Sequence, residues 1–339
     1  MIPNLLEKKI FEKNIPLDIQ LELTWRCNQR CPHCYQYAPS DNELSVAEIK
    51  DIIVQLAEAG CLYLAFTGGE PLLKRGFWDI AEFAYKKHFA LTLQTNGTLI
   101  GEKEADKIAG LNLFVAHITI HASNAAMHDK ISGLKGSFKR VLEAVELLRS
   151  RGIKVILNHT VIKTNYGEYQ AIKKLKQDLG DDVELRVSPF LFMKHDGSAR
   201  QAGLRLDDSQ IKEFYLALRN ETGWNPLENK ALICNFGRCV CTINAEGKVY
   251  PCVAVPLAVG DLRKSRFIDI WQNSPELKTI RSVKAEDLKD CKDCKLNNWC
   301  FRCSGFSYQE TGDLFRGSKE ARRFAEIIKE VNEYEETRI

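Results

Sequence analysis

The first 190 residues switch repeatedly between two hydrophobic periodicities. Runs of period two predict strands at Asp18–Thr24, Cys61–Thr67, Phe89–Thr95, Leu113–His121, Ile153–Ile162 and Asp182–Phe190. Between them, apolar residues recur every three or four positions, which predicts helices at Ser45–Ala59, Gly76–Lys87, Glu102–Ile108, Ser137–Arg151 and Glu168–Asp178. End signals support two of these. Ser45 with Glu48 three residues on forms a capping box and Gly60 closes the helix. Ser137 is the expected cap of another, with Phe138, Val141, Leu142, Val145 and Leu148 as its buried stripe and Gly152 at its end. Six β-α units in succession require a parallel sheet, because each right-handed crossover needs a helix. Six are too few to close an eightfold barrel, so the predicted fold class is α/β, a partial (β/α)6 TIM-like barrel. In such folds chemistry gathers at the C-terminal ends of the strands.

After Phe190 the pattern changes. "KHDGSARQAGLRL" reads as a loop, Asp208–Asn220 as a helix and "GWNPLENKA" as a linker. From about Leu232 to Phe306 the chain is cysteine-rich, with short strands, turns and little helix, a composition that relies on metal for its shape. A charged helix follows at about Lys319–Glu335. The expected division is an N-terminal extension (1–16), the barrel (17–225), a small cysteine-rich domain (226–318) and a C-terminal helix (319–339).

Composition narrows the function. At 45% hydrophobic, the chain can fill a core of its own. Lys+Arg 48 against Asp+Glu 45, with no basic run, leaves no electrostatic footprint for nucleic acid. No window is apolar for long enough to span a membrane and the N-terminus has no signal-type apolar region, so the expected location is the cytoplasm. There the twelve cysteines read as metal ligands, not disulfides. Cys27, Cys31 and Cys34 lie near the start, Cys61 is alone and reads as a small core residue, and eight fall between Cys234 and Cys303.

The trio follows strand one, "TGGEP" follows strand two and "TNG" follows strand three, so three motifs face one mouth. A structural zinc site wants four ligands in a closed shell, whereas an iron–sulfur cube held by three thiolates leaves one iron open. The spacing Cys27-x3-Cys31-x2-Cys34 at this position resembles the signature of the radical S-adenosylmethionine (radical SAM) superfamily. The resemblance implies a [4Fe–4S] cluster on the trio, whose open iron chelates S-adenosyl-L-methionine. One electron then yields a 5′-deoxyadenosyl radical that abstracts hydrogen. It further implies that Gly68 and Gly69 of "FTGGEP" let the backbone approach the cofactor and that Glu70 accepts from its ammonium. Thr95 and Asn96 of "QTNG", with Thr119, would contact the nucleoside, and Arg186 would reach the carboxylate. His121, past strand four, is a candidate proton donor or acceptor, with Asn124 and His128 close by in sequence. Each of these polar residues also has a bland reading as a turn or surface contact.

The later cysteines resemble the SPASM extension that follows the radical domain in peptide-maturing and other enzymes. Gly247 in "NAEGK" reads as a hairpin turn. The resemblance implies one auxiliary [4Fe–4S] cluster on Cys234, Cys239 or Cys241, Cys252 and Cys303. It implies a second on Cys291, Cys294 and Cys300, with a fourth ligand from downstream. No cysteine follows Cys303, and Arg322 stands about where relatives carry one, so the second cluster has an open iron, recruits another ligand or is absent. Zinc is the alternative for this group, given its ribbon-like spacing.

The residues after Cys252 are Val253, Ala254 and Val255, where sulfatase-maturing relatives carry an aspartate base, which argues against formylglycine formation. The expected reaction is thioether or carbon–carbon cross-linking, or a related change, in a ribosomally made peptide. Only 17 residues precede strand one, so a separate leader-recognition protein is expected if the substrate has a leader. The alternatives are a small molecule or a haem or metal-pterin precursor as substrate, and a non-enzymatic metal-binding or redox protein. A flavodoxin- or ferredoxin-type reductant is the expected electron partner.

Overall fold

A computed structural model describes residues 9–36, 40–192, 194, 202–222 and 234–336. Among these residues, nine strands form one sheet in the order β6-β5-β4-β3-β2-β1-β7-β8-β9. The first six are β1 (Asp18–Thr24), β2 (Tyr63–Gly68), β3 (Ala90–Thr95), β4 (Val115–Thr119), β5 (Val155–Thr160) and β6 (Glu184–Ser188), all parallel. The helices between them are α1 (Val46–Glu58), α2 (Phe77–Lys86), α3 (Glu102–Gly110), α4 (Ala125–Ser132), α5 (Ser137–Arg149) and α6 (Tyr169–Leu179). Strand and helix positions match the periodicities, with the ends of several elements shifted by one or two residues. Ser45 and Glu48 make the expected capping box on α1.

Two readings need correction. The cap of α5 is Gly136 in the left-handed region, not Ser137. The Asp129 carboxylate at the end of α4 reaches across, accepting from the backbone N–H of Gly136 at 2.5 Å and of Phe138 at 2.9 Å and from Ser137 Oγ at 3.0 Å. An acid from another helix thus satisfies the first turn. Helix α4 itself was not foreseen. It is short, and Asn124 Oδ1 caps it by accepting from Met127 N–H.

The sheet has two unlike faces. Ile19, Leu21, Leu23, Leu64, Phe66, Leu91, Leu93, Ala116, Ile118, Val155 and Leu157 pack with the helices in one buried core. Alternate positions are polar: Gln20, Glu22 and Thr24 on β1, Gln94 on β3, His117 and Thr119 on β4, Asn158 and Thr160 on β5. Parallel strands covered on both sides usually read as unbroken apolar runs. Here the inner face is kept polar at a cost to core burial, which marks it as the working surface.

The cysteine-rich region continues this sheet. Strand β7 (Val240–Ile243) pairs parallel with β1, and β8 (Lys248–Tyr250) and β9 (Gly260–Asp261) follow antiparallel. The hairpin turn is as expected: Gly247 has φ +86° and donates to Asn244 O, while Asn244 Oδ1 accepts from Glu246 and Lys248 N–H. The C-terminal helix α11 (Lys319–Glu336) packs through Phe324, Ile328 and Val331 on Ile211, Phe214 and Tyr215 of α7 (Asp208–Thr222). Between β9 and α11 the region holds more helix than its composition suggested: α8 (Phe267–Asn273), α9 (Pro275–Ser282) and α10 (Ser304–Thr311). Phe267, Trp271, Leu277 and Ile280 explain this by joining the main core. The loop expected at 194–206 is described in part, with a short helical turn at Ala202–Leu204, and the linker at 223–231 lies outside the described residues.

Candidate active site

The cysteine loop leaves β1 at Thr24 and is tied down at once. Thr24 Oγ1 and Trp25 N–H donate to the Glu43 carboxylate at 2.9 and 2.7 Å, and Lys74 Nζ stands 3.6 Å from the same group. The Gly68–Gly69–Glu70 turn then pairs with it: Gly69 N–H donates to Thr24 O at 2.7 Å and Glu70 N–H to Arg26 O at 2.8 Å. A Cβ at Gly68 would lie 2.2 Å from Thr24 O, and one at Gly69 would lie 2.3 Å from Arg26 O. Gly68 also has φ +129°. The two glycines therefore serve the cysteine loop first, because only bare backbone fits against it.

Glu70 is wholly buried. Its carboxylate accepts from Thr95 Oγ1 at 2.8 and 2.9 Å, Asn96 N–H at 2.9 Å and Leu72 N–H at 3.2 Å. Burial lifts its carboxyl to about 7 in spite of these donors. Glu70 thus joins the second motif to the third and stands behind the cavity wall. Asn96 continues the brace: its Nδ2 donates to Asn28 Oδ1 at 2.8 Å and lies 3.8 Å from Cys27 Sγ, while its Oδ1 accepts from Thr98.

These elements surround a cavity of about 300 Å³. Cys27, Cys31 and Cys34 line it with Gly68, Gly69, Thr95, Asn96 and Thr119, as the motifs predicted. Arg186 is on β6 opposite Asn158, exposed and outside the lining. Periodicity reasoning missed His117, Asn158 and Thr160, which also line the cavity. Polar residues at alternate positions of otherwise apolar strands were the available signal. A wider groove of about 640 Å³ beside β8 and α8 carries no thiol or imidazole, so the chemistry points to the smaller cavity.

Burial governs the thiols. It raises Cys27 and Cys34 and pushes Cys31 up to about 12, with the neighbouring thiols adding to the effect on Cys31. Such groups ionise when a metal replaces the proton. Gln29 N–H donates to Cys27 Sγ at 3.4 Å, a contact suited to a thiolate. Among the described residues no three His, Cys, Asp or Glu side chains converge as on a single metal ion. Cys27, Cys31 and Cys34 line one cavity, so the three thiols have open space beside them, as a cluster held by three thiolates and open on one side requires.

Behind Cys31 lies a nest of imidazoles. His121 is 1% exposed, and its Nε2 is 3.3 Å from Cys31 Sγ. His33 and His128 flank its ring with centroids 5.2 and 5.1 Å away. Burial lowers His121 well below the usual imidazole value, and His33, His128 and His159 to about 4, so all four are neutral near pH 7.

Comparison with known proteins bears on the same residues. A family model described as Radical SAM superfamily matches residues 21–175, and one described as the SPASM iron-sulfur cluster-binding domain matches residues 234–295. The chain carries a radical SAM domain and a SPASM domain. Among its relatives, the AdoMet-dependent heme synthase of Methanosarcina barkeri is 27% identical over 330 residues, covering 88% of this chain and 94% of that protein. The mycofactocin maturase MftC of Mycolicibacterium smegmatis is 27% identical over 314 residues, covering 84% and 77%. Streptococcus suis SuiB bound to precursor peptide SuiA shares the fold, with TM-score 0.71, 14% identity and coverage of 95% and 82%.

In the SPASM region, Cys252 is pushed up to about 12 by burial, with Cys303 and Cys234 adding to it. Ala254 N–H donates to Cys252 Sγ at 3.4 Å, and Cys303 caps α10. Burial raises Cys303 as well, opposed by backbone donors from Phe306 and Gly305. Cys239 and Cys234 both bear on the Arg238 guanidinium. Cys241 is 2% exposed, sits in the main core and bears on Cys61. Cys300 Sγ stands 3.8 Å from Ala321 O on α11, and the neighbouring Arg322 feels Cys294.

Proposed function

We propose that this radical SAM enzyme abstracts a hydrogen atom from a peptide held at the mouth of the barrel. The supporting observation is the convergence of three thiols, the Gly68–Gly69 turn and Thr95–Asn96 on one cavity whose other walls are rich in hydrogen-bonding side chains. Cys27, Cys31 and Cys34 are the residues that would hold a [4Fe–4S] cluster, with S-adenosylmethionine beside it. When bound, the two supply a carbon-centred radical able to remove hydrogen from an unactivated carbon. The chain's own part is positioning and exclusion of water. Gly68 and Gly69 bring bare backbone to the cavity, Thr119 and Asn96 offer polar groups to a nucleoside, and Glu70 holds the Thr95–Asn96 turn in place. Gln94, His117, Asn158 and Thr160 offer donors and acceptors that suit peptide amides, while Phe190, Leu191 and Phe192 dry the rim.

Cys234, Cys239, Cys252 and Cys303 are the ligand set we assign to one auxiliary cluster, with Cys241 as a core residue. Cys291, Cys294 and Cys300 would hold a second, close to Ala321 and Arg322 at the start of α11.

A tetrapyrrole substrate is the second reading. The heme synthase relative is co-extensive with this chain, matching 94% of that protein's length. Phe192, which lines the cavity, stacks on Phe306 with centroids 4.9 Å apart, a flat apolar wall at the rim.

The test is anaerobic incubation of reconstituted, reduced enzyme with S-adenosylmethionine and either a precursor peptide or a porphyrin bearing propionates. Deoxyadenosine formed in step with a peptide mass change supports the first reading. Turnover of the porphyrin alone supports the second, and no cleavage of S-adenosylmethionine under any condition overturns both.

A further inference from the structure

The contact between His121 and Cys31 crosses 90 positions of sequence. Cys31 Sγ lies 3.5 Å from Gln29 Oε1, which can accept the free thiol's proton, and 3.3 Å from His121 Nε2. A metal-bound sulfur has no proton at all, so in that state the ring nitrogen must be the donor. The opposite nitrogen agrees. Among the described residues His121 Nδ1 is buried without a hydrogen-bond partner, and an orphaned acceptor there costs less than an orphaned N–H would. The ring has little freedom: His33 and His128 flank it, the His121 backbone N–H donates to His128 Nδ1 at 3.2 Å, and the His121 carbonyl accepts from Asn165 Nδ2 at 2.9 Å.

We propose that His121 is a positioning residue whose Nε2–H donates to the Cys31 sulfur, fixes that side chain and raises the reduction potential of the cluster bound there. This rests on the reading that Cys27, Cys31 and Cys34 hold the cluster. An N–H dipole aimed at a ligand sulfur favours the reduced, more negative cluster, so removing it makes reduction harder. The role differs from proton exchange with substrate, because Nε2 is already engaged by sulfur.

The test uses the full-length, reconstituted protein. Pulsed EPR of the reduced cluster that responds to S-adenosylmethionine should show a histidine nitrogen coupling that changes on ¹⁵N-histidine labelling. His121→Phe, which keeps a ring but no donor, should retain wild-type iron, lose that coupling and move the cluster's midpoint to a more negative potential. His121→Gln, which keeps an N–H, should recover part of the shift. Wild-type protein lacking the coupling overturns the inference, as does a His121→Phe midpoint equal to wild type. If His121→Phe assembles no cluster, the wild-type labelling experiment and His121→Gln still decide. If a Cys27/Cys31/Cys34 triple alanine variant loses no iron relative to wild type, the cluster assignment itself fails and the inference with it.

Discussion

The two cysteine regions solve the same problem in different ways. Cys27, Cys31 and Cys34 lie in a loop braced by Glu43, Glu70 and Asn96, each of which belongs to a different part of the barrel. Cys291, Cys294 and Cys300 lie in a run of turns whose bonds are mostly local: Cys291 N–H to Leu288 O, Cys294 N–H to Cys291 O, and Asn297 Nδ2 to Cys291 O. The first site is shaped by protein before any metal arrives. The second rests on local turns, so a metal bound there would supply more of its shape. Radical chemistry needs the first kind of site, because the reacting atoms must be held in place and dry.

The largest expected effect isolates the mouth. Alanine at Cys27, Cys31 and Cys34 together should abolish S-adenosylmethionine cleavage and remove about four irons, leaving the auxiliary iron and the fold intact by iron assay and circular dichroism. Loss of all iron would break the distinction between the regions. Next, Gly69→Ala should cost about 3 kcal/mol or more in apoprotein stability, since its Cβ would lie 2.3 Å from Arg26 O. Urea denaturation measures this, and a change within about 0.5 kcal/mol would mean that the loop is not tightly braced.

A comparable loss, on the order of 3 kcal/mol, is expected for Glu70→Ala, which strands the Asn96 and Leu72 N–H groups and the Thr95 hydroxyl. Chelating the metal should expose 288–303 to amide exchange while β1 to β6 stay protected, and uniform loss of protection would erase the contrast.

No larger than these is an expected pH dependence. Glu70 is raised from 4.5 to about 7, so between those values the folded apoprotein keeps a proton that the unfolded chain has released. Its stabilising contribution is full below about pH 4.5 and is lost as pH rises through 7, by up to about 3 kcal/mol. Wild type minus Glu70→Gln, by urea denaturation from about pH 5 to 8, should show that slope, and a flat difference would remove Glu70 as its source.

Much of the barrel was legible because local pattern and global fold agree. Period-two runs became strands, and the Ser45–Glu48 box capped its helix. The α5 cap was missed because its partner, Asp129, comes from another helix. The helices of the SPASM region were missed because Phe267, Trp271 and Leu277 are drawn into a core that composition does not reveal. The motif residues Gly68, Gly69, Thr95, Asn96 and Thr119 line the cavity as expected, yet Glu70 braces the wall and Arg186 stands outside it.

The chain's own order of residues determined the series of β-α units, the three motifs at strand ends and the ligand types, because these depend on spacing within a few turns of chain. Tertiary structure alone decided that β7 extends the sheet beside β1, that Cys241 enters the core, and that His121 meets Cys31. Each of these joins residues far apart in sequence, and their distance is set by how strands order and pack, which no local period encodes.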